Sequence, residues 1–304
     1  MEIGYTKDLL ILPFDHRGTF GEKMFNAKGR QLTDEEVAKI SGFKWIVYQG
    51  FRKVMDGSPY KEKAGILCDE QYGEKVLMDA RSNNILFALT IEKSGQEEFD
   101  FEYGDGFGEH IEKFDAPIGK VLVRMNVEGN KEMNQRQLVR LKLLNDYLHS
   151  KNRKFMFELL VPATPSQLNL FGGDKRKYDQ ELRGKLMVSA VKEIQAADIA
   201  PDVWKLEGLE KSQEMADVVK ACQSNGTKAG VIVLGRGETA EKVREWLIAG
   251  ANIPGVIGFA IGRTVFWDAL VKYYNRTATE EQAIEEIAGN YKSFVDLWFE
   301  ARKK

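Results

Sequence analysis

Cysteine is scarce in this 304-residue chain, and its two copies, Cys68 and Cys222, supply neither a disulfide framework nor a thiolate metal site. Histidine is almost as rare: His16, His110 and His149 lie far apart with no HxH or HExxH spacing, which argues against a zinc centre built on histidine. No apolar run approaches the ~18 residues that a membrane helix requires. The opening MEIGYTKDLL has no signal-peptide pattern. A formal net charge of −2 offers no electrostatic pull toward nucleic acid or an anionic membrane. Low-complexity tracts, Pro/Gly-rich linkers and short-period repeats are missing as well. These absences predict a cytoplasmic protein without nucleic-acid or membrane partners, with residues 1–304 forming one domain. They leave open whether it associates into a homo-oligomer.

What is present is regular alternation. Short apolar runs read as strands at Leu9–Phe14, Gly65–Asp69, Ile85–Thr90, Gly119–Arg124, Lys154–Leu160, Val203–Leu206, Ala229–Leu234 and Gly255–Ala260. Helical patterns separate most of them, such as Asn134–Ser150, with Leu138, Leu141, Leu144 and Leu148 on one face. Asp179–Ala197, Lys211–Asn225, Thr239–Ala251 and Glu280–Arg302 read the same way, and Asp34–Met55 reads as one long helix despite its Ile46-Val47-Tyr48 run. Strand and helix alternating eight times predict an α/β fold, a single (β/α)8 TIM barrel with a parallel eight-stranded sheet; such barrels take roughly 250 residues before insertions. Two connections exceed the barrel's needs: the acidic, aromatic 92–110 and the Pro- and Gly-containing 161–177. Both follow strands, so both are expected as extended loops at the C-terminal face, where barrel active sites are built. For 92–110, a substrate lid and surface decoration are competing readings.

The strand-end residues carry the chemistry. In APDVWKLEGL (200–209), Lys205 shares a face with Val203 and Glu207 inside an apolar run. If both faces of that strand are covered, the lysine points into a packed interior, where an unpartnered cation is costly. The plainer alternative is a strand-end lysine whose stem lies on apolar surface and whose ammonium reaches water. Asp15 ends the first strand in FDHRG; Asp69 and Glu70 end the second, and Glu92 and Lys93 follow the third. On the fourth strand Lys120 and Arg124 share one face, and each would need a carboxylate if buried. Glu158 sits in the apolar fifth strand, so it either pairs with a cation or has a raised pKa. The seventh and eighth strands break into Gly235-Arg236 and Gly262-Arg263 before helical patterns, two turns suited to binding phosphate.

Together these residues predict imine chemistry. A free lysine has a pKa near ~10.4 and is almost wholly protonated at neutral pH. Burial beside Lys120 and Arg124 would favour the neutral amine, at a cost of roughly 4 kcal/mol for about three units. That amine can attack a ketone, and the protonated imine then draws electrons from the adjacent C–C bond. Glu158 and Asp15 can serve as the acid and base for dehydration and for the substrate hydroxyl.

The segments FDHRG (14–18), DEQYG (69–73), EKSGQEEFDFEYG (92–104), KVLVRMN (120–126), FELLVPATP (157–165), PDVWKLEGL (201–209), VLGRG (233–237) and GFAIGRTVFW (258–267) carry a resemblance that spans nearly the whole chain. The chain resembles the 2-deoxy-5-keto-gluconate 6-phosphate aldolase domains of inositol breakdown, often fused behind a sugar kinase. More distantly, DVWKLE and the IGR turn are similar to tagatose-bisphosphate and sulfofructose-phosphate class I aldolases, whose imine-forming lysine lies on the sixth strand. The resemblance implies a class I aldolase that cleaves 5-dehydro-2-deoxy-D-gluconate 6-phosphate, or another phosphorylated keto sugar or keto sugar acid. The products would be dihydroxyacetone phosphate and malonate semialdehyde, with no metal or other cofactor. It assigns the imine to Lys205, acid/base positions to Asp15, Lys120 and Glu158, and a phosphate position to Arg263. The GRG turn departs from the distant relatives, which usually have a serine or glycine without the arginine, so the resemblance leaves open the role of Arg236, whose candidate function from the turn itself is to assist in binding phosphate. No kinase portion accompanies this chain, which implies a stand-alone barrel. Two other readings compete: a metal-dependent lyase holding Mg²⁺ or Mn²⁺ on Asp15, Asp69, Glu70 or Glu158, and a non-catalytic sugar-phosphate-binding barrel.

Overall fold

The computed structural model describes residues 2–303. Its strands are β1 (Leu9–Pro13), β2 (Ala64–Cys68), β3 (Leu86–Thr90), β4 (Ile118–Arg124), β5 (Lys154–Leu160), β6 (Val203–Glu207), β7 (Gly230–Leu234) and β8 (Val256–Ala260). Each agrees with its expected range to within one residue at either end. All neighbours pair in parallel, and β8 returns to β1 to close the barrel. The helices are α1 (Gly18–Phe25), α2 (Asp34–Met55), α3 (Glu70–Ser82), α4 (Phe107–Phe114), α5 (Lys131–Ser150), α6 (Pro165–Leu170), α7 (Lys175–Glu181), α8 (Arg183–Ala196), α9 (Ser212–Cys222), α10 (Ala240–Ala251), α11 (Arg263–Tyr274) and α12 (Glu280–Ala301).

Local chemistry sets the helix starts. Thr33, Thr164 and Thr279 each accept from the backbone N–H three residues on, while Glu36, Gln167 and Gln282 return the bond, which satisfies two otherwise orphaned donors per helix. The Ile46-Val47-Tyr48 run lies within α2, where it faces the core rather than forming a ninth strand. The single helix expected over 179–197 is broken at Leu182, whose φ of −127° separates α7 from α8. The break turns Arg183 inward onto the Gly208 carbonyl and Glu207.

The strands are apolar on both faces because both faces are covered. Leu10, Leu12, Phe157, Trp204 and Phe259 pack outward against the helices. Leu9, Ile11, Leu67, Ala88, Ile118, Met156, Val203 and Ile232 fill the barrel interior. Side chains two apart share a face, so one layer above Ile118, Met156 and Val203 stand Lys120, Glu158 and Lys205. The pattern that makes apolar filling at one level places three charges together at the next.

The two long connections are ordered by packing. Glu92 and Phe101 form a bridge, and Phe99, Phe101 and Phe107 are buried, with the last two rings stacked 4.3 Å apart. The 92–110 insert is therefore anchored by its aromatics, and its Lys93–Gln96 stretch forms part of the wall of the barrel mouth.

The closing seam depends on one glycine. A Cβ at Gly258 would stand 1.8 Å from the Leu9 carbonyl oxygen, backbone that cannot move without opening β1 from β8. Gly258→Ala is expected to lower the melting temperature steeply or prevent folding. Gly42→Ala, at an exposed position inside α2 with nothing within 4 Å, is expected to stabilise by about 0.5–1 kcal/mol. Paired thermal melts check both directions.

Candidate active site

The site begins at the end of β1. Lys44 of α2 is fully buried, donates to the carbonyls of Phe14 and His16, and pairs with the equally buried Asp69. Asp69 also caps α3 by accepting from the Tyr72 N–H. This pair ties the FDH turn to the middle of α2, the end of β2 and the start of α3, and so fixes where Asp15 points. Sequence reasoning left Lys44 unremarked, because mid-helix it reads as one more surface lysine.

Asp15 meets Lys120 at the centre of the barrel. The Lys120 ammonium, 1% exposed, lies 3.0 Å from Asp15 Oδ2, 2.6 Å from Glu92 Oε1 and 2.9 Å from Glu158 Oε2. Glu158 Oε2 in turn lies 2.6 Å from Lys205 Nζ, on the neighbouring strand and at the same register. Burial alone would push Lys120 down, but Asp15, Glu158 and Glu92 outweigh it and hold the ammonium well above the usual lysine range. Burial would raise Asp15 and Glu158; Lys120 and Lys205 reverse that and keep both carboxylates below their ordinary values. Glu92 differs: burial dominates over Lys120 and Arg17, and its carboxyl is pushed up.

Of the two readings open for Glu158, the structure has the paired one, with Lys205 as a partner besides Lys120. Lys120, expected to need a carboxylate and to disfavour the Lys205 ammonium, is itself neutralised, and Arg124 finds a carbonyl instead of a carboxylate. Three carboxylates surround Lys120, and Arg124 donates to the Gln96 carbonyl at 2.7 Å. Asp69 and Glu70 do not join the cluster. Asp69 is taken by Lys44, and Glu70 contacts His110 across α3 and α4.

The network opens into a cavity of about 480 Å³ at the C-terminal ends of the strands. Asp15, Lys120, Glu158 and Lys205 line its base, Arg124 one wall, and Arg236 and Arg263 the opposite wall after β7 and β8. Arg236 holds a left-handed backbone (φ 52°), costly for a non-glycine residue. Its guanidinium is drawn to Asp179, 2.6 Å away, and to Glu207, 2.9 Å away. Arg263 donates to the Arg236 carbonyl at 3.3 Å and lies flat on Gly237, where a Cβ would stand 2.2 Å from Nη2. Gly237 (φ 79°) is thus the glycine on which the arginine placement depends.

The two turns differ from their expected form. Gly262 is tight against β1, since its Cβ would stand 2.2 Å from the Pro13 carbonyl oxygen, and α11 starts directly at Arg263. After β7 the helix starts later: Gly235–Glu238 form a turn, and α10 begins at Ala240 under its own Thr239 cap. A helix N-terminus therefore adjoins the Gly262-Arg263 turn, while the Gly235-Arg236 turn presents loop backbone.

Residues 3–302 match the family described as "Uncharacterized protein conserved in bacteria (DUF2090)". No curated protein matches the chain. Among solved structures, it is similar to a fructose-bisphosphate aldolase of Plasmodium falciparum at 12% identity and a TM-score of 0.65, covering 95% of this chain and 90% of that one. A Corynebacterium glutamicum protein aligns at 14% identity and TM-score 0.57, over 96% and 88% of the two chains. A fructose-bisphosphate aldolase of Slackia heliotrinireducens aligns at 12% and 0.55, over 93% and 86%. At these identities the likeness is one of fold. Among the described residues no helix is long and apolar enough to cross a membrane.

His16 supplies a pH test of the site. Burial, with help from Arg263, Lys44 and Lys205 and against Asp15, holds its imidazole down at about 4. The unfolded chain takes up this proton near pH ~6.5, whereas the native site resists it until about pH 4. Stability should therefore fall as pH drops through that window. Melting temperatures of wild type and His16→Gln across it are expected to show a smaller drop in the variant, with the remainder owed partly to His110, also held at about 4.

Proposed function

We propose that the chain, which belongs to this DUF2090 family, is a class I aldolase that forms an imine between Lys205 and the ketone of a phosphorylated keto sugar or keto sugar acid. The observation that carries the reading is Lys205 itself, 5% exposed at the base of the cavity, with Glu158 at 2.6 Å as an immediate proton acceptor. Two of the similar structures being named fructose-bisphosphate aldolases adds support.

On substrate entry, the Lys205 proton passes to Glu158 and the neutral amine attacks the carbonyl carbon. Glu158 returns the proton as the carbinolamine loses water, giving a protonated imine. The imine accepts the electron pair of the C–C bond as that bond breaks, and the ionised Asp15 takes the proton of the β-hydroxyl, which leaves as an aldehyde. Lys120, a permanent cation beside Asp15 and Glu158, stabilises the charges that move between them. Protonation and hydrolysis of the remaining enamine free the second product. No step draws on a bound metal or other cofactor.

The arginines mark two ends for the substrate. Arg263, at the start of α11, takes the phosphate dianion, assisted by the loop N–H groups around Gly235 and by Gly262; Arg236, already bound to two carboxylates, positions Arg263 through its carbonyl. Arg124 stands on β4, across the barrel from β8, where it suits a carboxylate or hydroxyl at the other end. An anionic group at each end fits 5-dehydro-2-deoxy-D-gluconate 6-phosphate, with dihydroxyacetone phosphate and malonate semialdehyde as products.

Incubation with dihydroxyacetone phosphate and borohydride, followed by peptide mass spectrometry, is expected to place the reduced adduct on Lys205. An adduct on another lysine, or none, rejects the assignment. Lys205→Arg should keep the fold and abolish turnover, because arginine stays protonated. Arg263→Ala should raise KM and lower kcat for the phosphorylated substrate while sparing residual cleavage of its unphosphorylated analogue. Equal losses on both would place the phosphate elsewhere.

A further inference from the structure

Glu92 has no part in the mechanism above, yet it is a buried carboxyl in direct contact with the Lys120 ammonium. It is 6% exposed and lines the cavity at the end of β3. Its Oε1 accepts from Lys120, and its backbone carbonyl accepts from Arg17 Nη2 at 2.6 Å. Its Oε2 is buried and has no hydrogen-bond partner. A buried carboxylate oxygen left bare is costly, whereas a hydroxyl at the same place is a donor waiting for an acceptor.

Charge balance points the same way. The groups facing Glu92 are Lys120 of β4, Asp15 and Arg17 after β1, and, across Lys120, Glu158 of β5. Arg17 is engaged by Glu102, at 2.8 Å. Within the cluster, Lys120 and Lys205 carry two positive charges, and Asp15 and Glu158 carry two negative ones. A third ionised carboxylate would leave the closed interior with an uncompensated charge. Burial pushes the Glu92 carboxyl up, in agreement with this count.

We propose that Glu92 is a substrate-binding residue that presents an Oε2–H donor to an oxygen of the substrate half released as the aldehyde. That half is the one in question because Glu92, at the end of β3, is linked to Lys205 only through Lys120 and Glu158, whereas it shares the Lys120 ammonium directly with Asp15. The hydrogen bond orients the β-hydroxyl half toward Asp15 without transferring a proton itself. It also selects substrates that carry an acceptor oxygen there.

The inference rests on the aldolase reading, and the tests separate the two. Difference infrared spectra of the unliganded protein at pH 7, wild type against Glu92→Gln, should show the carbonyl stretch of one protonated carboxyl lost in the variant. With 5-dehydro-2-deoxygluconate 6-phosphate, Glu92→Gln, which keeps a neutral donor, should retain kcat/KM within about threefold and lose an alkaline limb that wild type shows. Glu92→Ala should lose roughly tenfold, as for one hydrogen bond. Trapping of dihydroxyacetone phosphate on Lys205 should be unchanged in both variants, because that product half does not reach Glu92. Absence of the protonated band overturns the proposal whatever the activity. So does a Glu92→Gln variant as impaired as Glu92→Ala at every pH, which would mean that Lys120 needs an ionised Glu92. Failure of wild type to trap dihydroxyacetone phosphate rejects the aldolase reading instead, and the infrared comparison still decides Glu92.

Discussion

The constraint on which this site depends is that charges inside a closed barrel must be balanced by one another. Lys120 has almost no access to water, so its ammonium is held by side chains alone: Asp15, Glu92 and Glu158. Asp15 and Glu92 come from just past the ends of β1 and β3 and Glu158 from within β5, and Glu158 hands the network on to Lys205. Pairs this deeply buried add little to stability over an apolar core, but leaving one member unpaired costs several kcal/mol. The network therefore fixes protonation and position more than it strengthens the fold. Asp15 and Glu158 are kept ionised by their cations, and Glu92, the third carboxyl on a single ammonium, is pushed the other way.

Around that balanced centre, the mouth is built by parts that need not be regular. The 92–110 insert brings the Lys93–Gln96 stretch to one wall, holds Arg17 of the β1 turn there through Glu102 and the Glu92 carbonyl, and is itself secured by buried phenylalanines. On the facing wall, Arg236 accepts an unfavourable backbone so that its side chain can reach Asp179 and Glu207, and its carbonyl then receives Arg263. The polar groups that could bind a ligand are in this way placed by loops anchored to a rigid barrel, the usual division of labour in this fold.

Much of this was legible in the chain. Eight apolar runs with helices between them predict a parallel barrel, and the strand limits came out within a residue. Lys205, Lys120 and Glu158 stand out because a charge in the middle of an apolar strand contradicts its surroundings. Glu92 is visible only as a strand-end residue without a role, and His16 and Lys44 do not stand out. Glu92 lies in EKSGQEE, which reads as a solvated acidic loop, and Lys44 lies in a helix where every third or fourth residue is polar. The break at Leu182 was equally hidden, since 179–197 keeps a helical pattern throughout, and the start of α7 at Lys175 fell inside what reads as a loop.

The sequence by itself determined what depends on near neighbours along the chain: strand against helix, which side chains share a face, and where helices are capped. These follow from the two-residue repeat of a strand, the 3.6-residue repeat of a helix and hydrogen bonds spanning about three residues. Only the tertiary structure decided who partners whom inside the barrel. Lys120 and Asp15 are 105 positions apart in the chain, and Lys120 and Glu92 are 28 apart, yet they share one ammonium. That meeting is set by the closure of β8 onto β1 and by the register between strands. Closure also removes the water that would otherwise have made each of these charges an independent, and unremarkable, surface group.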